Sequence, residues 1–271
     1  MAAVPRALTP YVASLVAYDV DLGAPGVHRG LPGTTLTFVL PVGEPLDVGW
    51  ADGRGRERRW STVSGLHAAP AAIHHHGAQR GIQLGLTTAG ARALLGVPAA
   101  ALSGELLRLE EVSTQLAELP ERLHDLGRAA GIEAGLDARL AMVVAVLTQA
   151  LARNGDASAR AEVGHALAGL TRGARVADVA EEVGYSRRRL GTLVKQETGL
   201  APKAYQRLAR FEASRAVLGS RPLAEVAVAC GYADQAHLAR DWSELAGCSP
   251  STWLHEEFPF LQDPETRAAS G

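Results

Sequence analysis

The sequence contains two similar ten-residue stretches, with Ala, Val, Ala, Gly and Tyr in register. Residues 176–185 read VADVAEEVGY, and residues 223–232 read LAEVAVACGY, 47 positions later. In both copies the apolar residues recur at i, i+3, i+4 and i+7, which places them on one face of a short helix. Each copy ends in glycine and tyrosine, and glycine can adopt the left-handed conformation that ends a helix. The repetition predicts one supersecondary unit used twice.

A second helix is predicted after each turn. Ser186 and Asp234 stand where the N-cap of this helix would lie, and both residue types are good caps. The second helices are expected over residues 187–198 and 235–246, and each is followed by glycine and then, three positions on, by proline. A helix, a glycine-containing turn and a second helix form the helix-turn-helix plan.

The second copy closely resembles the signature of the AraC family of bacterial transcription regulators. It reads GYADQAHLARDW from Gly231 and GCSP from Gly247. Family members usually carry Phe at positions 232, 238 and 242 and Ser at 233, and the residues found here are size-tolerant replacements for core or cap positions. The resemblance covers about residues 160 to 258. It implies a double helix-turn-helix domain that binds double-stranded DNA, preceded in many members by a cupin-like barrel.

The predicted fold class is α+β, with an N-terminal cupin-like β-rich barrel, following helices, and a C-terminal all-α double helix-turn-helix domain. A chain of 271 residues can bury a core in each of two domains. Short apolar runs separated by Gly and Pro indicate β-structure over residues 4–87, and the pattern becomes helical from Thr88. We expect a sensor or dimerisation domain over 1–152, a linker over 153–160, the DNA-binding domain over 161–258 and a tail over 259–271.

A stripe of apolar residues at helical spacing precedes the predicted linker. Such a stripe packs on the barrel, on a partner subunit, or on both, and the spacing alone leaves these alternatives open. A homodimer is therefore one expected assembly. The stripe consists of Leu136, Leu140, Val144, Leu147 and Leu151.

The charge that indicates DNA binding is concentrated in one part of the chain. The net charge of −2 gives no indication of nucleic-acid binding, but residues 186–215 contain eight basic and two acidic side chains. This is the region where DNA would lie. The two cysteines, Cys230 and Cys248, indicate small buried thiols and no disulfide framework. We expect no segment long enough to span a membrane and a cytoplasmic location.

The second helix of the first unit carries the main candidates for DNA contact. A helix in this position fits the major groove, where base edges can be distinguished. The resemblance places Arg188 and Thr192 where family members touch bases, and Arg188 could bind guanine O6 and N7 in a bidentate pair. Arg187, Arg189 and Lys195 are predicted phosphate contacts, which position the helix without reading sequence.

In the second unit the corresponding surface is Gln235, His237 and Arg240, whereas Asp234 is interpreted as a cap. Between the units, residues 202–218 are predicted to form one long helix that holds them at a fixed separation. One subunit would then read two adjacent major grooves.

The histidines of the first domain raise the question of metal binding. On a strand, His74 and His76 would share one face while His75 points away. Metal cupins begin a site with such a pair, but the carboxylate expected a few residues on is missing, and metal sites need at least three convergent ligands. We predict no metal and no cofactor, with His28, His74 and His76 as candidate effector contacts. Residues 36–40 and 82–86 are expected to supply apolar pocket walls.

Three functions are compatible with these features. The favoured one is a ligand-responsive transcription regulator that is not an enzyme, because a DNA module is joined to a separate β-rich domain. The alternatives are a metal-dependent cupin-like enzyme with an appended DNA module and an alkyl-transfer repair protein, for which residues 1–229 contain no acceptor cysteine. Activators outnumber repressors in the family, so activation is expected, with RNA polymerase and a small-molecule effector as further partners to consider.

Overall fold

The computed structural model describes residues 4–130, 135–154 and 161–256. The first described range folds mainly as two antiparallel sheets. One sheet has the strand order β1-β8-β3-β6-β9 and the other the order β2-β7-β4-β5. The strands are β1 Val12–Asp21, β2 Gly26–Gly30, β3 Leu36–Pro41, β4 Leu46–Trp50, β5 Glu57–Arg59, β6 Thr62–Ser64, β7 Ala71–His75, β8 Ala78–Leu86 and β9 Leu106–Leu107.

Helices follow the sheets, as the pattern from Thr88 predicts, although β9 lies among them. Helix α1 (Thr88–Gly90) continues into a π-helical segment, Ala91–Leu95, and a 3₁₀ turn covers Ala99–Leu102. The remaining helices are α2 Leu109–Val112, α3 Leu119–Ala130, α4 Gly135–Asn154, α5 Ala161–Thr171, α6 Val176–Glu182, α7 Arg187–Thr198, α8 Pro202–Val217, α9 Leu223–Ala229, α10 Gln235–Ala246 and α11 Pro250–Glu256. The predicted α+β class is confirmed.

The five-stranded sheet separates a helical layer from a cavity. Successive residues of a strand point to opposite faces, so Leu36, Phe38 and Leu40 are buried in the core that contains helix α4. Thr37 and Val39 face the other way and line a cavity. The expectation that residues 36–40 and 82–86 form apolar pocket walls is therefore wrong for most of their apolar side chains, which pack against helices.

Helix α4 carries the predicted apolar stripe. Leu140 and Leu147 are buried in the N-terminal core, and Val144 and Leu151 pack against it. This helix is long and apolar enough to cross a membrane, so the expectation that no such segment exists is wrong on length and composition. Its buried residues belong to the core formed by the described residues up to 154, which we call the β-domain. The stripe serves the intramolecular core, and the homodimer stays a prediction.

The predicted linker and tail lie largely outside the described residues. Helix α4 extends through Asn154, so residues 153 and 154 of the predicted linker are helical. Residues 155–160 and the whole tail, 259–271, are outside the described ranges.

The C-terminal domain has two cores that share helix α8. Tyr205 is buried in the core of the first unit, together with residues of α5, α6 and α7. Leu208 and Phe211, on the same helix, are buried in the core of the second unit with residues of α9 and α10. Pro202 occupies the first helical position, which tolerates its missing N–H. The predicted connecting helix is confirmed.

The turns of the two units are built as the repeat predicts. Ser186 Oγ accepts a hydrogen bond from Arg189 N at 3.2 Å, and Asp234 Oδ1 accepts one from His237 N at 2.7 Å. Gly184 and Gly231 have φ of 71° and 77°, in the left-handed region that favours glycine. The expected caps and turns are confirmed.

The β-domain inserts one leucine into each unit of the C-terminal domain. Leu66, which follows β6, is 1% exposed within the core of the first unit. Leu31, which follows β2, is 9% exposed within the core of the second. A further close contact involves Gly199, where a Cβ would lie 2.4 Å from Ser103 Cβ. The domains are therefore packed against each other through apolar side chains.

We predict that Leu66→Ala lowers the free energy of unfolding by about 2–5 kcal/mol, the usual cost of removing a buried leucine side chain. Urea unfolding followed by far-UV circular dichroism measures the change. Val228→Ala, at a position 73% exposed, is the matched control and should change stability by no more than about 0.5 kcal/mol. Equal effects of the two substitutions would contradict the docked arrangement.

Candidate nucleic-acid interface and ligand cavity

Helix α7 presents the predicted DNA-contacting residues on one exposed face. Leu190, Leu193 and Val194 are buried against the rest of the first unit. The five predicted contacts are all exposed: Arg188, Thr192 and Lys195 lie opposite the buried side, and Arg187 and Arg189 lie at its margins. Because the α7 N-cap is satisfied by Ser186, the three arginines begin a well-formed helix. The arrangement provides a cationic first turn suited to phosphate and base edges.

Helix α10 presents a smaller polar face. Gln235 and Arg240 are exposed, as predicted. His237 is only half-exposed, its ring makes an edge contact with Tyr232 at 5.1 Å between centroids, and its Nδ1 accepts a 3.3 Å hydrogen bond from Ala233 N. Gln235 and Arg240 are therefore the exposed candidates for DNA contact on α10, whereas His237 contacts neighbouring residues of the same unit.

Two arginines of the basic stretch are engaged within the domain. Arg207 Nε donates to Asp241 Oδ1 at 2.8 Å, and Arg207 also pairs with Glu244. Arg210 lies 3.7 Å from the second Asp241 oxygen. The sequence-based expectation that the whole basic stretch lies along DNA needs correction here, because these two cations face helix α10.

The two acidic residues of the basic stretch both contact the β-domain. Glu197, near the end of α7, is buried and receives hydrogen bonds of 2.8–3.0 Å from Arg92 Nε and Nη2. These hydrogen bonds raise the pKa of Arg92. Glu212, on α8, accepts hydrogen bonds from the Thr34 backbone N at 3.1 Å and Oγ1 at 2.6 Å. Helices α7 and α8 are thus each tied to the β-domain by one carboxylate.

A cavity of about 310 Å³ lies between the β-domain and helix α8. Its inner wall carries mainly small apolar and uncharged polar side chains, and its α8 side carries Glu212, Arg215 and Ala216. Arg29, on the β-domain side, lines the same cavity and pairs with Glu256 of α11 at 3.0 Å. The uncharged polar side chains of the wall are Ser14, Thr35, Thr37, Gln79, Gln83, Tyr18 and His28.

The predicted effector histidines are divided between two cavities. His28 lines the larger one, whereas His74 and His76 line a second cavity of about 230 Å³ with His75. His28 and His75 are both buried, and their ring centroids are 5.8 Å apart. Among the described residues, the Nδ1 atom of each has no hydrogen-bond partner. Burial, and secondarily the charge of His75, lowers the pKa of His28 to about 4. The structure brings His75, not His74 or His76, close to His28.

Metal binding finds no support in the geometry of these histidines. Within residues 4–130, 135–154 and 161–256, no group of three or more His, Cys, Asp or Glu side chains is arranged to hold a metal ion. The described part of the chain therefore offers no donor set for a metal cupin.

Sequence reasoning did not identify the contacts between the domains. Leu31 and Leu66 lie in loops, Arg92 lies in the π-helical segment, and none of the three belongs to a motif. The one available signal was the isolation of Glu197 and Glu212 among eight basic residues. An acid retained in a DNA-facing basic stretch indicates a local partner, because an exposed carboxylate would repel phosphate.

Comparison with known proteins agrees with this architecture. The family model described as a helix-turn-helix domain matches residues 160–256. ToxT from Vibrio cholerae, in its P21 crystal form, is 11% identical with a TM-score of 0.51, covering 90% of this chain and 98% of that chain. Unsaturated fatty acid bound wild-type ToxT from strain SCE256 is 11% identical with a TM-score of 0.50, covering 94% and 98%.

A transcriptional regulator with an AraC-type DNA-binding domain, from Chromobacterium violaceum, is 23% identical over 41% of this chain and 95% of that chain, with a TM-score of 0.33. None of the curated proteins compared gives a significant match. At identities this low the likeness to ToxT shows a shared fold, and the function has to be argued from the residues.

We predict that His28→Gln reduces the loss of stability on acidification. Because the folded-state pKa of His28 is about 4, below its ordinary value of 6.5, the unfolded chain binds more protons between these pH values. Stability attributable to His28 is therefore complete above pH 6.5 and falls as the pH decreases towards 4, by up to about 1.4 kcal/mol per pH unit. Urea unfolding at pH 7.0, 6.0 and 5.0 measures this dependence. His165→Gln, at an exposed histidine, is the control, and identical pH profiles for the two variants would contradict the assignment.

Proposed function

We propose that this chain, whose residues 160–256 form an AraC-type helix-turn-helix domain, is a ligand-responsive transcription regulator that reads two adjacent major grooves with one subunit. Helices α7 and α10 are the reading helices. Arg188 and Thr192 contact bases in the first groove, and Gln235 and Arg240 do so in the second. Arg187, Arg189 and Lys195 bind phosphate, and His237 contributes its remaining ring nitrogen.

One observation carries the proposal: two capped helices with exposed polar faces are mounted on a single shared helix. Ser186 and Asp234 satisfy the first turns of the reading helices, and α8 contributes side chains to both cores. An arrangement that served only folding would not require the exposed cationic turn at Arg187–Arg189, whose side chains form no ion pair within the described ranges. The asymmetry of the two reading faces implies an asymmetric site for each subunit.

The cavity beside α8 is the proposed effector site. Its volume of about 310 Å³ suits a small organic molecule, and its mixed apolar and polar lining is typical of such sites. ToxT, which shares the fold, binds an unsaturated fatty acid. The many hydroxyl, amide and imidazole groups of this cavity favour an effector that carries hydrogen-bonding groups along its body.

Regulation follows if the effector prefers one arrangement of the two domains. Glu212 lines the cavity and also accepts hydrogen bonds from Thr34. A ligand that competes for Glu212, or reinforces its contact, alters how tightly the β-domain holds α8. Only a difference in affinity between the two arrangements shifts their populations, whatever the absolute affinity.

The remaining features of the proposal follow from its class. A regulator of this kind acts in the cytoplasm, where bacterial DNA lies, and catalyses no reaction. Activation through contact with RNA polymerase is proposed because activators outnumber repressors in the AraC family. Homodimer formation is proposed through the face of α4 that is not buried in the core.

We predict that Arg188→Ala relaxes base preference at one position of the site and weakens specific binding by about 1–3 kcal/mol. Lys195→Ala should weaken binding to all sequences alike and reduce the slope of log K against log salt by about one. The two effects differ because one side chain contacts a base edge and the other a phosphate. Fluorescence anisotropy on specific and random duplexes, at several salt concentrations, measures both.

Glu181→Gln is the control, because this exposed side chain of α6 lies outside the proposed contacts. If Arg188→Ala weakened binding equally on specific and random duplexes, its assignment as a base-reading residue would be wrong.

A further inference from the structure

Helix α10 is held on α8 by two different kinds of contact. The first is apolar. Trp242 is fully buried, its ring lies 4.7 Å from that of Phe211, and its Nε1 donates a 2.9 Å hydrogen bond to Ser214 Oγ. This contact fixes one point of α10 on α8. Leu238 and Leu245 of α10 are buried in the same core, but hydrophobic burial is non-directional. A second directional contact therefore defines the rotation of α10 more closely.

The second contact is ionic and involves Asp241. Arg207 and Arg210 are three residues apart on α8 and therefore share one face. Arg207 Nε donates to Asp241 Oδ1 at 2.8 Å, and Arg210 Nη2 lies 3.7 Å from Asp241 Oδ2. The Asp241 side chain is only 10% exposed, so its charge is largely removed from water. The two arginines bracket one carboxylate from both sides.

Asp241 and Trp242 are adjacent on α10, so their side chains leave the helix about 100° apart. Two directional contacts on different sides of the helix restrict its rotation about its own axis more than either contact does alone. This is the geometric reason for a buried charge at position 241. An apolar residue there could fill the same space but would lack the directional hydrogen bond.

The ionic contact continues towards the DNA-facing side of the unit. The Arg210 guanidinium lies over the Tyr232 ring, 5.2 Å from its centroid, and Tyr232 contacts the ring of His237. Burial, followed by the negative charge of Asp241, raises the pKa of Tyr232 to about 12. Arg240, a proposed base contact, is the neighbour of Asp241 in sequence. The orientation of the exposed face of α10, which carries Arg240, therefore depends on the position of Asp241.

We propose that Asp241, with Arg207 and Arg210, is a positioning site that fixes the orientation of the second reading helix relative to the first and thereby the spacing of the two DNA half-sites. The proposal rests on the two-groove reading proposed above. The three residues need not touch DNA. Their contribution is to make the protein reject half-sites at the wrong separation.

Spacing tolerance is the measurement that separates positioning from general stability. One inserted base pair moves the second half-site by about 3.4 Å and rotates it by about 35°. For the wild-type chain we expect the insertion to weaken binding by about tenfold or more. For Asp241→Asn we expect a penalty of about threefold or less, because a freed α10 can follow the displaced groove.

Glu244→Gln is the matched control. It removes the same charge from the same helix and the same Arg207 partner, but Glu244 is 66% exposed, so its pair is screened by solvent. The control should keep the wild-type penalty. Arg207→Gln removes the contact from the α8 side and should behave as Asp241→Asn does, and Asp241→Glu should restore much of the discrimination. Circular dichroism confirms that each variant is folded, and Arg207→Gln takes the place of Asp241→Asn if the latter is not.

Three outcomes are distinguishable. A reduced penalty in Asp241→Asn and Arg207→Gln, with an unchanged penalty in Glu244→Gln, supports the positioning site. An unchanged penalty in both test variants, or an equal reduction in the control, overturns it while leaving two-groove reading intact. A wild-type chain that is indifferent to the insertion overturns the two-groove reading itself.

Discussion

Helix α8 is the element on which the geometry of the C-terminal domain depends, because it contributes to both helix-turn-helix cores. Its sixteen residues span about 24 Å, with Tyr205 in the first core and Leu208 and Phe211 in the second. Neither unit can move away without exposing apolar surface. A helix shared in this way converts two short units, each too small to bury a core alone, into one domain with two exposed polar helix faces.

The β-domain acts on the same helix and on its neighbour α7. The two carboxylates of the basic stretch, Glu197 and Glu212, accept hydrogen bonds from Arg92 and Thr34 of the β-domain. Leu31 and Leu66 add apolar contacts, one to each unit. Leu31 and Glu212, one apolar and one polar member of these contacts, also line the cavity. A molecule bound there would therefore touch part of the connection between the domains.

The helix-turn-helix units could be predicted from the sequence in detail, since a repeat, glycine turns and caps such as Ser186 are local features. Most of the candidate DNA face followed from helical periodicity. The exceptions depend on tertiary contacts. The sequence predicts that Arg207 and Arg210 lie along DNA, whereas in the structure both face Asp241. The sequence assigned the wrong side chains to the cavity walls. Alternation along β3 does not show which face of the strand packs on helix α4 and which lines the cavity beside His28. The interdomain contacts involve residues far apart in the chain, which no local pattern connects.

The central claim is that one chain reads two adjacent major grooves because α8 holds both reading helices. A hydroxyl-radical footprint tests it most directly, on a duplex selected from random sequence and in a complex shown by sedimentation to contain one chain. The account predicts two protected patches on the same face of the duplex, separated by about one helical turn, roughly 34 Å. A single protected patch, with the second unit leaving no footprint, would contradict it.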